Sequence, residues 1–160
     1  MKKLHLLRHA KANAFSNNGE DFDRDLHVKA ENQLKLADQF LKMNNMQVDQ
    51  ILCSSAKRTR QTLKALTSIN DIIKPIFSED LYLASSSQLL RFVCDKANGD
   101  EIILIGHNEG ISELASYLSN QNIHLETANF CTISLNVDHW KEVSQGTGKV
   151  EVLFSPKEDF

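Results

Sequence analysis

The chain has 160 residues, 41% of them hydrophobic and 24% charged, the balance of a soluble globular protein able to build one core. Its formal net charge of −3 leaves no basic footprint for nucleic acid and no polybasic patch for an anionic membrane. No apolar run approaches the roughly 20 residues that span a bilayer, and the run after Met1-Lys2-Lys3 is too short for a secretory signal.

The three cysteines, Cys53, Cys94 and Cys131, are odd in number, far apart and without CxxC spacing. Reduced thiols in a cytoplasmic protein are expected rather than a disulfide framework or a zinc site. Lys3–Leu7 reads as a short buried strand, and the polar stretch Asn13 to Asp25 as a loop. From about His27 to Met43, Ala30, Leu34, Ala37 and Leu41 recur at helical spacing. Val48 to Cys53 forms the second strand, with Ser54-Ser55 placed to cap a helix whose core face is Leu63, Leu66 and Ile69. Pro75-Ile76-Phe77 is a short third strand. Ser85-Ser86-Ser87 opens a helix carrying Leu89, Leu90, Val93 and Ala97, with Gly99 as its C-cap.

Ile102–Ile105 is a continuous apolar strand of the kind buried on both faces, and Ile111, Leu114, Ala115 and Leu118 mark the following helix. In the tail, Ile133, Leu135 and Val137 alternate with polar residues, as do Val150, Val152 and Phe154. Period-two alternation predicts two half-exposed strands, an antiparallel pair joined near Gly146-Thr147-Gly148. The order β-α-β-α-β-α-β-α-β-β predicts a single α/β domain over residues 1–160. Helices cover both faces of a mostly parallel central sheet, in three layers.

Arg8 and His9 close the first apolar run, and Gly106-His107 closes the fourth. Two buried-type strands that each deliver a histidine at the carboxyl end point to a site at the strand tips, where open α/β sheets bind ligands. Arg8 specifies an anion, because guanidinium pairs with phosphate oxygens. His107-Asn108 lies where the next helix begins, and the free N–H groups there favour negative charge. Arg58 and Arg60 open the second helix at the same sheet edge. They stand about 200° apart around the axis, so only one can face the pocket, and spacing does not say which. Two arginines would repel a cation, and no HxxxH or Cys/His cluster offers metal ligands. His5, His27, His124 and His139 read as structural or exposed, and Trp140 as cover for the terminal hairpin.

Three segments together, Leu7-Arg8-His9-Ala10-Lys11-Ala12, Ser54 to Thr62 with its Arg58-x-x-Gln61-Thr62, and Gly106-His107-Asn108, resemble the histidine phosphatase superfamily. Within that phosphoglycerate-mutase-like group the chain is similar to the small SixA-type phosphohistidine phosphatases, over nearly its whole length. By that resemblance His9 matches the nucleophile that becomes transiently phosphorylated, and Arg8, Arg58 and His107 match the positions that hold the phosphoryl oxygens. The motif thus selects Arg58 over Arg60.

The sequence departs from the family at Arg24-Asp25-Leu26, where Asp25 stands for Pro and His27 for Thr in an Arg-Pro-Leu-Thr stretch. Ala10 stands where many members have Gly, and Glu109 where small members often have Pro. Larger relatives carry a proton-donating carboxylate after the third strand. Here that stretch, Phe77 to Tyr82, offers Glu79 or Asp80, with a solvated acidic pair as the equal reading.

The resemblance implies a phosphohydrolase that needs no metal or other cofactor. The implied substrate is phosphohistidine on a partner protein; a small phosphate ester is the alternative, and a non-catalytic phosphate or phosphoprotein binder a more distant one. No segment beyond Asn13–Asp25 is spare to form a lid, which suits a phosphorylated side chain presented by another protein.

Overall fold

The computed structural model describes residues 1–71 and 73–157. The chain forms β1 (Lys2–Arg8), α1 (Ala30–Met43), β2 (Gln50–Ser54), α2 (Lys57–Ala65), α3 (Thr67–Asn70) and β3 (Ile76–Ser78). Then follow α4 (Ser86–Lys96), β4 (Glu101–Gly106), α5 (Gly110–Ser119), β5 (Phe130–Leu135) and β6 (Gly148–Phe154). Short 3-10 turns lie at Asp21–Asp23, Glu79–Leu81 and Trp140–Glu142. The strands make one sheet in the order β3-β2-β4-β1-β5-β6. β3, β2, β4 and β1 pair in parallel, while β5 runs antiparallel to both β1 and β6.

Alternate strand residues feed two separate cores, as the two-residue repeat of a strand requires. Leu4, Leu6, Leu52, Ile102 and Leu104 face α4 and α5. Leu7, Ile51, Cys53, Ile103 and Ile105 face α1, α2 and α3. The result is the three-layer α/β/α arrangement expected, with each central strand covered on both sides. No helix among the described residues is long and apolar enough to cross a membrane.

Four local expectations need correction. β5 was expected half-exposed, yet all six of its residues are buried, because β5 lies inside the sheet between β1 and β6. Its polar side chains find partners instead of water: the Thr132 hydroxyl lies 2.8 Å from His5 Nδ1, and Ser134 donates to the Lys149 carbonyl. Only the edge strand β6 keeps the alternation. The first helix starts at Ala30 rather than His27, the intervening residues forming a turn. Ser54 and Ser55 do not cap α2, whose N-cap is Ala56 with no side-chain bond; Ser54 belongs to the strand. Gly99 lies beyond the α4 C-cap, Ala97. Its φ of +97° and the Asp49 side chain packed where a Cβ would stand make glycine necessary there. Ser85 does cap α4, in a full capping box with Gln88.

Candidate active site

Strand register builds the site. β1 and β4 are parallel with Arg8 opposite Gly106, so the next residue of each strand, His9 and His107, emerges beside the other at the carboxyl edge. The His9 N–H donates to the Gly106 carbonyl at 3.2 Å, fixing that register to the last residue. The two imidazole centroids lie 5.3 Å apart, tilted by 56°. On the far side of β4, β2 ends at Ser54, and the first turn of α2 then turns Arg58 back over the same edge.

Arg58 is 2% exposed, and its Nε donates to His9 Nε2 at 3.3 Å. Arg60 points outward, bonded to the Ser55 carbonyl and stacked on Phe77. Helical geometry allows only one of the two inside, and the structure takes Arg58.

His9 is 6% exposed, and its Nδ1 lies 2.7 Å from the Ala10 carbonyl. Burial, with the charges of Arg58 and Arg8, pushes its pKa down to about 4 against the pull of that carbonyl, so the ring is neutral at pH 7. A neutral ring that donates from Nδ1 carries its lone pair on Nε2, the nitrogen facing Arg58.

His107, also buried, is pushed down to about 3 by desolvation and by Arg58. Its Nε2 lies 2.8 Å from Ser54 Oγ. That oxygen also accepts from the Ala56 N–H at 3.4 Å, so the Ser54 hydroxyl ties His107 to the start of α2. His107 Nδ1 is buried and has no hydrogen-bond partner among the described residues.

Arg8 joins the group by charge more than by contact. Its Nη1 donates to the Leu125 carbonyl at 3.1 Å, shared with Asn108, and its Nε is buried without a partner. Burial lowers its pKa, and the carboxylates of Glu109 and Glu126 act against that. The structure therefore brings His9, Arg58 and His107 into one cluster, with Arg8 at its edge.

The rest of the helical motif holds this cluster in place. Thr62 Oγ1 accepts the Ala10 N–H at 3.1 Å and donates to the Arg58 carbonyl, tying the residue after His9 to α2. Gln61 bonds both the Asp25 carboxylate and the Leu26 N–H, pinning the far end of the Asn13–Asp25 loop. The departure at Asp25 is accommodated, since Asp25 also pairs with Lys57 at 3.0 Å.

Asp21 and Tyr82 complete the site, and the sequence singled out neither. The Asp21 carbonyl and carboxylate accept from Arg58 at 2.8 and 3.1 Å, the carboxylate also accepts from Arg24 at 2.9 Å, and the Tyr82 hydroxyl donates to it. Burial alone would raise the Asp21 carboxyl; the bonds from Tyr82 and Arg58 outweigh it and hold the group below the usual carboxylate range. The Tyr82 ring stands edge-on to His107 at 5.4 Å and near the Arg58 guanidinium. The only hint of Asp21 was an arginine three residues on, in a loop otherwise rich in solvated polar groups. Glu79 and Asp80 are exposed in the turn before Tyr82, outside this cluster. Among the described residues no group of three or more His, Cys, Asp or Glu side chains is placed to hold a metal.

Comparison with known proteins follows the same lines. A family model described as histidine phosphatase superfamily, branch 1, matches residues 4–82. An uncharacterised Mycobacterium tuberculosis protein is 33% identical over 117 residues, 71% of this chain and 70% of that one. A SixA protein of Nakamurella multipartitia superposes with a TM-score of 0.83 at 24% identity, over 97% of this chain and 96% of its own. The protein histidine phosphatase SixA, solved with tungstate, gives 0.79 at 17% identity, over 96% of this chain and 97% of its own. At those identities the two structural likenesses concern the fold.

Proposed function

The chain belongs to the histidine phosphatase superfamily, and from that premise we propose that it hydrolyses phosphohistidine on a partner protein through a phosphorylated His9. In the first half-reaction the lone pair on His9 Nε2 attacks phosphorus in line. A P–N bond forms to His9 as the bond to the substrate ring breaks; that ring, protonated on its other nitrogen, keeps the electron pair and leaves as neutral imidazole. Charge gathers on the three equatorial oxygens, where Arg8, Arg58 and His107 stabilise it, His107 donating from Nδ1 while the Ser54 hydroxyl gives its proton to Nε2. In the second half-reaction water displaces His9 from phosphorus, giving inorganic phosphate and the free imidazole. A neutral imidazole needs no separate base to act as nucleophile at pH 7.

The observation that carries the choice of substrate is the state of Asp21. Among the described residues Asp21 is the carboxyl group bonded to Arg58, and it is held ionised by Arg58, Arg24 and Tyr82, so it has no proton to give. An alkoxide leaving group needs a proton donor on the enzyme; a phosphohistidine ring takes its proton on its own second nitrogen, imidazole's reference pKa of about 6.5 lying near neutral pH, and leaves as neutral imidazole. The SixA protein of similar fold was solved with tungstate, a tetrahedral oxyanion like phosphate, which is in keeping with a phosphate ligand.

The test is a phosphohistidine-bearing carrier protein against a panel of small phosphate esters, with His9→Ala run alongside. Faster turnover of the carrier by wild type is expected. Preference for an alkyl phosphate would overturn the substrate, and hydrolysis of none of them would overturn the phosphatase in favour of a phosphate-binding domain.

A further inference from the structure

A groove of about 440 Å³ opens beside the phosphate pocket and shares Tyr82 with it. One wall is the turn Glu79–Leu81 and the other is α4. The rim is rigid: Leu81 and Ala84 are buried, and the Ala84 carbonyl packs against α5 so closely that Gly110 has no room for a Cβ. Between these anchors Leu83 is held outward, 54% exposed, with its backbone in the left-handed region at φ +49°. An apolar side chain kept exposed in a strained conformation, next in the chain to Tyr82, marks a contact surface.

The charges change sign along the way out. The pocket carries Arg8 and Arg58, whereas the first groups beyond Tyr82 are Glu79 and Asp80, joined to it through the Tyr82 N–H bond to the Glu79 carbonyl at 2.9 Å. Neither carboxylate is among the ion pairs formed by the described residues. Further along α4, Asp95 offsets one of Arg91 and Lys96, so the groove as a whole is net acidic.

We infer that this groove binds the polypeptide that flanks the phosphorylated residue, selecting a basic side chain that meets Glu79 and Asp80 while an apolar neighbour rests on Leu83. Tyr82 borders both the pocket and the groove, so that basic residue stands a few positions from the phosphohistidine. The inference rests on the phosphoprotein reading above and gives it a sequence preference.

Two phosphohistidine peptides of equal length, one with lysines and one with glutamates at those positions, test it beside p-nitrophenyl phosphate. Wild type is expected to turn over the lysine peptide with a kcat/KM about 3- to 10-fold higher, the range of one or two exposed ion pairs. The double variant Glu79→Lys, Asp80→Lys should lose or reverse that preference while hydrolysing p-nitrophenyl phosphate as before. Equal turnover of the two peptides by wild type, or a preference that survives the double variant, overturns the groove assignment and leaves the phosphohistidine reading standing. Hydrolysis of p-nitrophenyl phosphate with neither peptide touched overturns both.

Discussion

The two ends of the sheet put the same residue types to opposite uses. At the amino end, His5 of β1 lies between Glu101 of β4 and Thr132 of β5, with its ring nitrogens 2.7 and 2.8 Å from their oxygens and its face stacked on Phe130. Four residues later on the same chain, His9 meets Arg58 and His107, and the cluster leaves Arg8 Nε and His107 Nδ1 buried with nothing to bond. Both histidines are almost fully buried, at 1% and 6% exposure, so burial does not separate them. Satisfaction does. A buried polar atom without a partner costs stability, and a fold that places two such nitrogens around one cluster is arranged for an anion that arrives later.

Substitutions at the two ends sharpen this contrast. The largest effect belongs to His9→Ala, expected to lower turnover by at least about 10⁴-fold in steady-state assays, since removal of a nucleophile leaves only binding and charge stabilisation. Activity retained in that variant would end the nucleophile assignment.

Ser54→Ala comes next. Without the hydroxyl, His107 is free to put its proton on Nε2, and kcat should fall by about 10- to 100-fold with KM little changed, while Ser54→Thr restores most of the rate. Equal kcat in wild type and Ser54→Ala would show that the Ser54 bond does not orient the ring.

The acid limb of kcat/KM should be displaced as well. His9 stays neutral until the pH falls to about 4, so the profile, corrected for substrate ionisation, is expected to break there and not near 6.5. The same displacement affects stability, with a definite sign. Between about 6.5 and 4 the unfolded chain binds a proton that folded His9 refuses, so stability declines as pH falls through that window. His5 is lowered chiefly by burial and adds to the decline in the same direction.

At the amino end, His5→Leu should leave kcat unchanged within about twofold. It should cost about 1–3 kcal/mol in urea unfolding by stranding the buried Thr132 hydroxyl. A marked loss of activity with intact stability would erase the distinction between the ends.

The sequence made the site's main chemistry legible because that chemistry sits on regular elements. Strand ends locate His9 and His107, and the resemblance of Arg58-x-x-Gln61-Thr62 chooses between two arginines that helical spacing leaves equal. Residues that act from loops left little trace. Asp21 reaches Arg58 only through the path of the Asn13–Asp25 loop, and Tyr82 reaches His107 only because the turn after β3 packs against β2. Ser54 was visible, but its strand position and its bond to His107 depend on β2 lying next to β4, a neighbour relation that hydrophobic pattern does not encode. The burial of β5 escaped for the same reason: period-two alternation reports polarity, while Thr132 and Ser134 are polar and satisfied inside the fold.

The most direct test is to trap the enzyme during turnover. Rapid quenching of wild type with a radiolabelled phosphohistidine carrier, followed by peptide mapping in alkali, should yield phosphate on His9 that is stable to base and lost in acid. A burst of free phosphate with no labelled enzyme at any time point, or label on a residue other than His9, would contradict the account.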